Sequence, residues 1–225
     1  MTSDMSKIIL DLCGGTGSWS KFYKEAGYTV RVITLPDFDI LLTRLVNGGA
    51  WFSGGEKDKD LSLFIPLENV YGILCAPPCT HFAGSGAQYW KEKDADGRTE
   101  EALKNIDMCL DIIAHFAPKF WALENPVGRL PKLRGDRLGE VRLKFNPNDY
   151  GDPYTKKTYV WGEFNSLEKS PVELTEKQKW ECKQNTRKHP ELPADYKRDI
   201  KMTLTQMKRS ITPDGFAEAF YKANP

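Results

Sequence analysis

The chain reads as an α/β protein, a mostly parallel sheet with helices on both faces. Three observations predict this. Apolar runs of strand length alternate with stretches of helical period along the first 162 residues. The first run, Ile8-Ile9-Leu10-Asp11-Leu12, breaks into the glycine-rich turn Gly14-Gly15-Thr16-Gly17 and then a helical pattern. Two later runs end in reactive side chains, Cys79 and Glu124, at the strand edge where open α/β sheets place their ligands. At 225 residues the chain is long enough for one such domain and a small appendage.

Strands are expected at 7–12, 28–34, 70–75, 119–123, 140–146 and 157–162, and helices at 17–27, 40–47 and 100–116. The run Val70-Tyr71-Gly72-Ile73-Leu74 is a buried strand by its continuous apolarity. Pro77 and Pro78 end it, because they fix φ and carry no N–H donor. The 100–116 helix has apolar residues at Leu103, Ile106, Met108, Leu110, Ile112, Ile113 and Phe116, a broad buried stripe. Residues 52–62 read as a polar excursion, and 80–99 as a loop rich in glycine and charge. From about residue 163 the periodicity fades, with prolines at 171, 190 and 193; the expectation is a small lobe over 163–208 and a short terminal helix from Pro213 to Ala223.

Composition narrows the classes. A net charge of +1 gives no global field toward nucleic acid. Locally, Lys183 to Arg209 holds eight basic residues against three acidic ones, an excess of five that suits phosphate contact and equally suits an ordinary solvated face. Five cysteines without framework spacing argue against a disulfide scaffold, and three histidines give no metal quartet, so no metal is expected. No signal peptide and no membrane-length apolar run is evident. The expectation is a cytoplasmic monomer, with no membrane partner and Cys79 a free thiol.

The chemistry lies in four segments. Cys79, directly after two prolines, is held on a stiff turn and is a candidate nucleophile; alone, a cysteine is more often a buried structural residue. The glycine-rich turn lets backbone approach a ligand and offers free N–H groups at the following helix, weak evidence for a nucleotide-like cofactor. In Phe120-Trp121-Ala122-Leu123-Glu124-Asn125-Pro126 a carboxylate ends a strand on the same expected edge as Cys79. Asn148 to Gly162 is a turn feeding a strand that starts with Lys156 and Lys157.

In this order the four segments resemble the cytosine-5 DNA methyltransferases, most closely the short bacteriophage members. Asp11 to Trp19 is similar to the family's cofactor loop, Pro77-Pro78-Cys79 to its nucleophile motif, Glu124-Asn125 to its Glu-Asn motif, and Tyr150 to Gly162 to its Gly-x-Pro-x-x-Arg-x-Arg strand. Arg209-Ser210-Ile211-Thr212-Pro213 more loosely resembles the Arg-x-Leu-Thr-Pro segment that closes the recognition region.

The resemblance implies a Rossmann-like fold dependent on S-adenosylmethionine, with a catalytic domain over 1–162, a target-recognition lobe over 163–208 and a C-terminal helix over 209–225 packed back on the first. It implies methyl transfer to carbon 5 of cytosine in double-stranded DNA, on a base flipped out of the duplex. Cys79 would add to carbon 6, Glu124 would hydrogen-bond ring nitrogen 3, and Lys156 and Thr158 would orient the base. Asp11, Leu12, Gly14, Gly15, Thr16, Gly17, Pro77 and Pro78 would hold the cofactor. Trp19 would offer its face near the sulfonium, and Asp39 would lie near the adenine or cap a helix. Residues 80–99 would be a mobile catalytic loop, with Ser85 and Gln88 at its tip and Arg98 on a phosphate. Lys197, Arg198 and Lys201 would meet the backbone of the DNA.

Four departures stand out. Thr34-Leu35 replaces the acidic residue that holds the ribose in the family, with Asp37 as the possible substitute. Lys156 and Thr158 stand where the family has two arginines, and lysine lacks the planar fork. The family continues into a final segment where this sequence reaches Asn224-Pro225. The lobe is under fifty residues, enough for a short target. RNA, a free nucleotide, a variant cofactor or a non-catalytic DNA-binding homologue are the alternatives.

Overall fold

The structure, a computed structural model, describes residues 7–55, 58–184, 186, 189–194, 196 and 203–225. In chain order the first half carries β1 (Ile8–Leu12), α1 (Lys21–Glu25), β2 (Thr29–Ile33), β3 (Arg44–Val46), β4 (Gly49–Ser53), β5 (Ser62–Pro66) and β6 (Val70–Cys75). The second half carries α2 (Trp90–Ala95), α3 (Arg98–Phe116), β7 (Phe120–Pro126), α4 (Leu130–Leu138), β8 (Leu143–Phe145), β9 (Thr158–Glu163), α5 (Glu176–Gln184), α6 (Leu204–Ser210) and α7 (Asp214–Ala223). The fold is α/β and Rossmann-like, as predicted. Its central sheet has the order β2-β1-β6-β7-β9-β8. The first four strands run parallel, and β9 runs against both neighbours.

The continuous apolar runs make sense once the sheet is covered on both sides. Successive side chains point to opposite faces. Leu10, Leu12, Ile73, Cys75, Leu123 and Trp161 face one core, built with α3. Ile9, Leu74, Ala122 and Val160 face a second, largely aromatic core with Trp19, Tyr23, Phe145, Tyr150, Phe216 and Phe220. Helix α7 closes that side. Phe216 stacks on Phe145 with centroids 4.1 Å apart, and Tyr23 donates to the Asn224 carbonyl at 2.8 Å.

Several expectations are corrected. Residues 40–47 form a single 3-10 turn (Ile40–Leu42) and then β3, and the excursion at 52–62 is framed by β4 and β5. These strands make a separate antiparallel sheet, β3-β4-β5. Its hairpin is closed by Asn47-Gly48, with Val46 opposite Gly49 and Gly48 at φ +84°, the two-residue turn that needs left-handed backbone. Turns occupy most of 14–20, so α1 is shorter than the helix expected at 17–27. The 80–99 loop carries a 3-10 stretch (Gly84–Tyr89) and α2. Helices α4, α5 and α6 were not foreseen.

Candidate functional site

Register alone assembles the site. Leu12 lies opposite both Ile33 and Cys75, and Cys75 lies opposite Leu123. The segments that follow these strands therefore share one edge: the glycine turn, Pro77-Pro78-Cys79 and Glu124-Asn125. Antiparallel β9 brings a fourth. Pro126 pairs with Thr158, so Lys156 reaches back to Glu124, Nζ to Oε1 3.4 Å. Both side chains are largely withdrawn from water, 22% and 15% exposed, where an ion pair is stronger than at an open surface.

Cys79 is half-buried. Burial raises its thiol above the ordinary range; Lys156 opposes this, Glu124 adds to it, and Arg209 of α6 opposes it. Lys156 and Glu124 thus set the charge around Cys79, with Arg209 the smallest contribution. Thr158 is buried, and its hydroxyl donates to the Lys156 carbonyl at 2.9 Å. It secures the backbone that carries Lys156, and that hydroxyl is already engaged within its own strand.

The Pro77-Pro78-Cys79 turn is fastened from beneath by residues outside the expected set. Asn125 is fully buried and donates through Nδ2 to the Pro77 carbonyl at 3.2 Å. The Cys79 carbonyl accepts the N–H groups of Phe82 and Ala83, both at 2.9 Å, and the Phe82 ring is buried in the first core. Arg129 ties the rest: Nε to the His81 carbonyl at 3.1 Å, one guanidinium nitrogen to Asp94 at 2.8 Å, the other to Thr99 at 2.7 Å, with the group over the Trp90 ring. Lys93, itself buried, donates to the Thr80 carbonyl at 2.8 Å. A Cβ on Gly128 would collide with the Phe82 carbonyl, so this close approach requires glycine. The 80–99 segment is therefore bound down in this structure. Ser85 and Gln88 are exposed on it. Arg98 is committed to Asp96 and Glu92, which fold the guanidinium back onto its own segment. Asn125 stands in the Glu-Asn motif, which marks the position without giving it this role; Arg129 had no local signal beyond the Gly128 turn before it.

At the glycine turn, Gly15 and Gly17 take positive φ, 56° and 70°, as does Cys13 at 56°. Nothing lies within 4 Å of a Cβ placed on Gly15, and Gly14 sits so close to Asp11 that a Cβ there would strike the carboxyl. Asp11 and Leu12 are fully buried; Asp11 accepts from Ser20 at 2.6 Å, while its Oδ1 has no partner among the described residues. Burial raises its pKa to about 6. An open glycine cradle over an unpaired buried carboxyl oxygen fits a polar ligand such as S-adenosylmethionine. Thr16 and Ser18 exchange a hydroxyl hydrogen bond beside it, and a cleft of about 370 Å³ separates Ser18 from Ile211–Asp214.

Three further placements matter. Thr34, where the family's ribose ligand would stand, accepts the Gly15 N–H at 3.3 Å. Asp39 caps the 40–42 turn by accepting from Leu41 at 3.0 Å. Trp19 is 1% exposed and packs on Phe216 and Phe220, so its ring serves the second core rather than the mouth of the turn. Pro77 is buried and Pro78 exposed. Lys197, Arg198 and Lys201 lie outside the described residues. Among those described, no group of three or more His, Cys, Asp or Glu is placed to hold a metal ion, and no helix is long and apolar enough to cross a membrane.

No family model matches the chain. It is similar to the Type II methyltransferase M.AplI of Arthrospira platensis, 28% identical over 128 residues, which cover 56% of this chain and 33% of that protein. A solved structure described as a DNA modification methyltransferase encoded within a prophage (E. coli) is 19% identical, covers 70% of this chain and 46% of its own, and superposes with a TM-score of 0.41. The chain thus spans about a third of the length of the curated relative it matches.

Proposed function

We propose that the protein transfers a methyl group from S-adenosylmethionine to carbon 5 of cytosine in DNA. The observation that carries this reading is the juxtaposition of Cys79, Glu124 and Lys156 on the sheet edge that also bears the open glycine turn. The similarity to M.AplI agrees with it. When bound over Asp11, Leu12, Gly14, Gly15, Thr16 and Gly17, with Pro77, Pro78 and Asp39 beside it, the cofactor would supply a methyl group on a sulfonium.

The chain's own residues do the rest. The Cys79 thiolate adds to carbon 6 of the ring and makes carbon 5 nucleophilic. Glu124, a carboxylate beside Lys156 in the free site, takes up a proton when the base is seated and hydrogen-bonds ring nitrogen 3 while negative charge develops there. Lys156 holds the Glu124 carboxyl in place and steadies the thiolate. After the methyl has moved, loss of the carbon 5 proton expels the thiolate and restores the ring. The target base must leave the duplex to reach this edge, and the lobe over 163–208 would hold the DNA.

The test is incubation with labelled S-adenosylmethionine and duplex DNA, RNA or dCMP, followed by digestion to nucleosides and mass identification. The expected product is 5-methyl-deoxycytidine from duplex DNA, absent with Cys79→Ser and reduced ~10²–10⁴-fold with Glu124→Gln. Label in RNA or dCMP alone would transfer the reading to those substrates. Turnover by Cys79→Ser within tenfold of wild type would remove the thiol from the mechanism.

A further inference from the structure

Helix α5 presents an indole that no core residue covers. Its half-buried positions, Gln178, Glu181 and Cys182, follow the i, i+3, i+4 spacing of one face. On that face Cys182 Sγ accepts the Thr155 N–H at 3.4 Å. Thr155 precedes Lys156, which pairs with Glu124. The sulfur contact therefore fixes α5 directly beside the reactive cluster. A reciprocal pair of hydrogen bonds between Thr175 and Gln178 starts the helix and sets its rotation. Strand-like contacts between Ser170 and Asp149 and between Val172 and Asn148 anchor the preceding chain.

Trp180 lies two residues from Cys182, roughly 200° around the helix, so it points away from the body. It is 59% exposed, more than any other large apolar side chain among the described residues. Lys177 and Lys183, three residues to either side, share its face and are exposed, and Glu176, at i−4 on that face, is neutralised by Lys179 at 2.7 Å. Lys177 makes only a loose 3.9 Å approach to Glu181 and is itself 83% exposed. An aromatic face between two cations, on a helix whose opposite side meets the residue before Lys156, matches the chemistry of an unstacked base flanked by phosphates.

We propose that Trp180 stacks on a nucleobase of the substrate strand, with Lys177 and Lys183 on the adjoining phosphates. This rests on the reading of DNA as the substrate. Extruding a base leaves its neighbours with bare π faces, and an indole on the outer face of the helix that flanks Lys156 would cover one along the strand. Stacking is tolerant of sequence, so this contact grips DNA without reading it.

The experiment uses the full chain and its Trp180→Phe, Trp180→Ala and Lys177→Ala/Lys183→Ala variants, with intact duplex and duplex carrying an abasic gap as probes. The expected result is quenching of indole emission by DNA, with the Trp180 share missing from Trp180→Phe. Trp180→Ala should bind DNA about tenfold more weakly, with most of the loss recovered in Trp180→Phe and cofactor binding unchanged. The double lysine variant should flatten the log–log salt slope by about two units. Wild-type affinity and quenching in the Trp180 variants, in a protein that binds and methylates DNA, would overturn this contact alone. A change in self-association instead of DNA affinity would overturn it in favour of a second copy of the chain. A wild-type protein that binds no DNA would overturn both this contact and the proposed substrate.

Discussion

The Cys79 thiol stands between opposed influences. Desolvation disfavours the thiolate, Glu124 adds to that, and Lys156 and Arg209 oppose it. The signs give a prediction that does not need turnover. Alkylation at Cys79, followed peptide by peptide by mass spectrometry, should rise with pH through a midpoint above that of a free cysteine. Lys156→Gln should move the midpoint up and Glu124→Gln should move it down. A midpoint at or below the free thiol, or shifts of the same sign in both variants, would contradict the arrangement. Residue types at the ends of apolar strands mark Cys79 and Glu124 as candidates, and the roles given to them come from the family resemblance of the four segments. Trp19 shows the limit of such reading. Its place after a glycine turn suits a cofactor contact and a core contact equally, and the deciding partners, Phe216 and Phe220, lie some two hundred residues away.

At the scale of elements, the six strands of the central sheet were readable because burial on both faces demands unbroken apolarity. The β3–β4 hairpin carried a local signal, Asn47-Gly48, that was outweighed by the helix-like run Ile40-Leu41-Leu42; its alternation becomes decisive only when the turn is recognised first. Helix α4 was hidden by Pro131 near its start, Gly135 in its middle and a kink at Arg134 (φ −143°). Glycine and charge make the 80–99 segment a polar loop, and the family resemblance implies that it is mobile. What holds it is distant: Arg129, whose side chain is 9% exposed, bonds to His81, Asp94 and Thr99. Arg129→Ala should cost about 1–3 kcal/mol through the stranded His81 and Thr99 groups. Hydrogen exchange should accelerate over 81–99 while the central strands keep their protection. Unchanged exchange in that segment would show that Phe82 and Lys93 are sufficient restraints.

Across the whole molecule, strand alternation divides the interior into a mainly aliphatic core against α3 and a largely aromatic one under α7. The site lies at the edge both cores share. The residues just after α7 tie back to α1 and β6: Tyr23 and Tyr71 donate to the carbonyls of Asn224 and Pro225, each at 2.8 Å. That closure was partly legible, since Phe216, Ala217 and Phe220 fall on one helical face; which surface they cover was not, because the partner aromatics are scattered along the sequence. Covalent catalysis by Cys79 within this frame can be trapped chemically. Wild-type protein with S-adenosylmethionine and duplex DNA carrying 5-fluorocytosine should give a protein–DNA band that survives denaturation, because fluorine blocks the final elimination. The band should vanish in Cys79→Ser. An active preparation that methylates DNA yet leaves no such band, or a band that persists without the Cys79 thiol, would contradict the account.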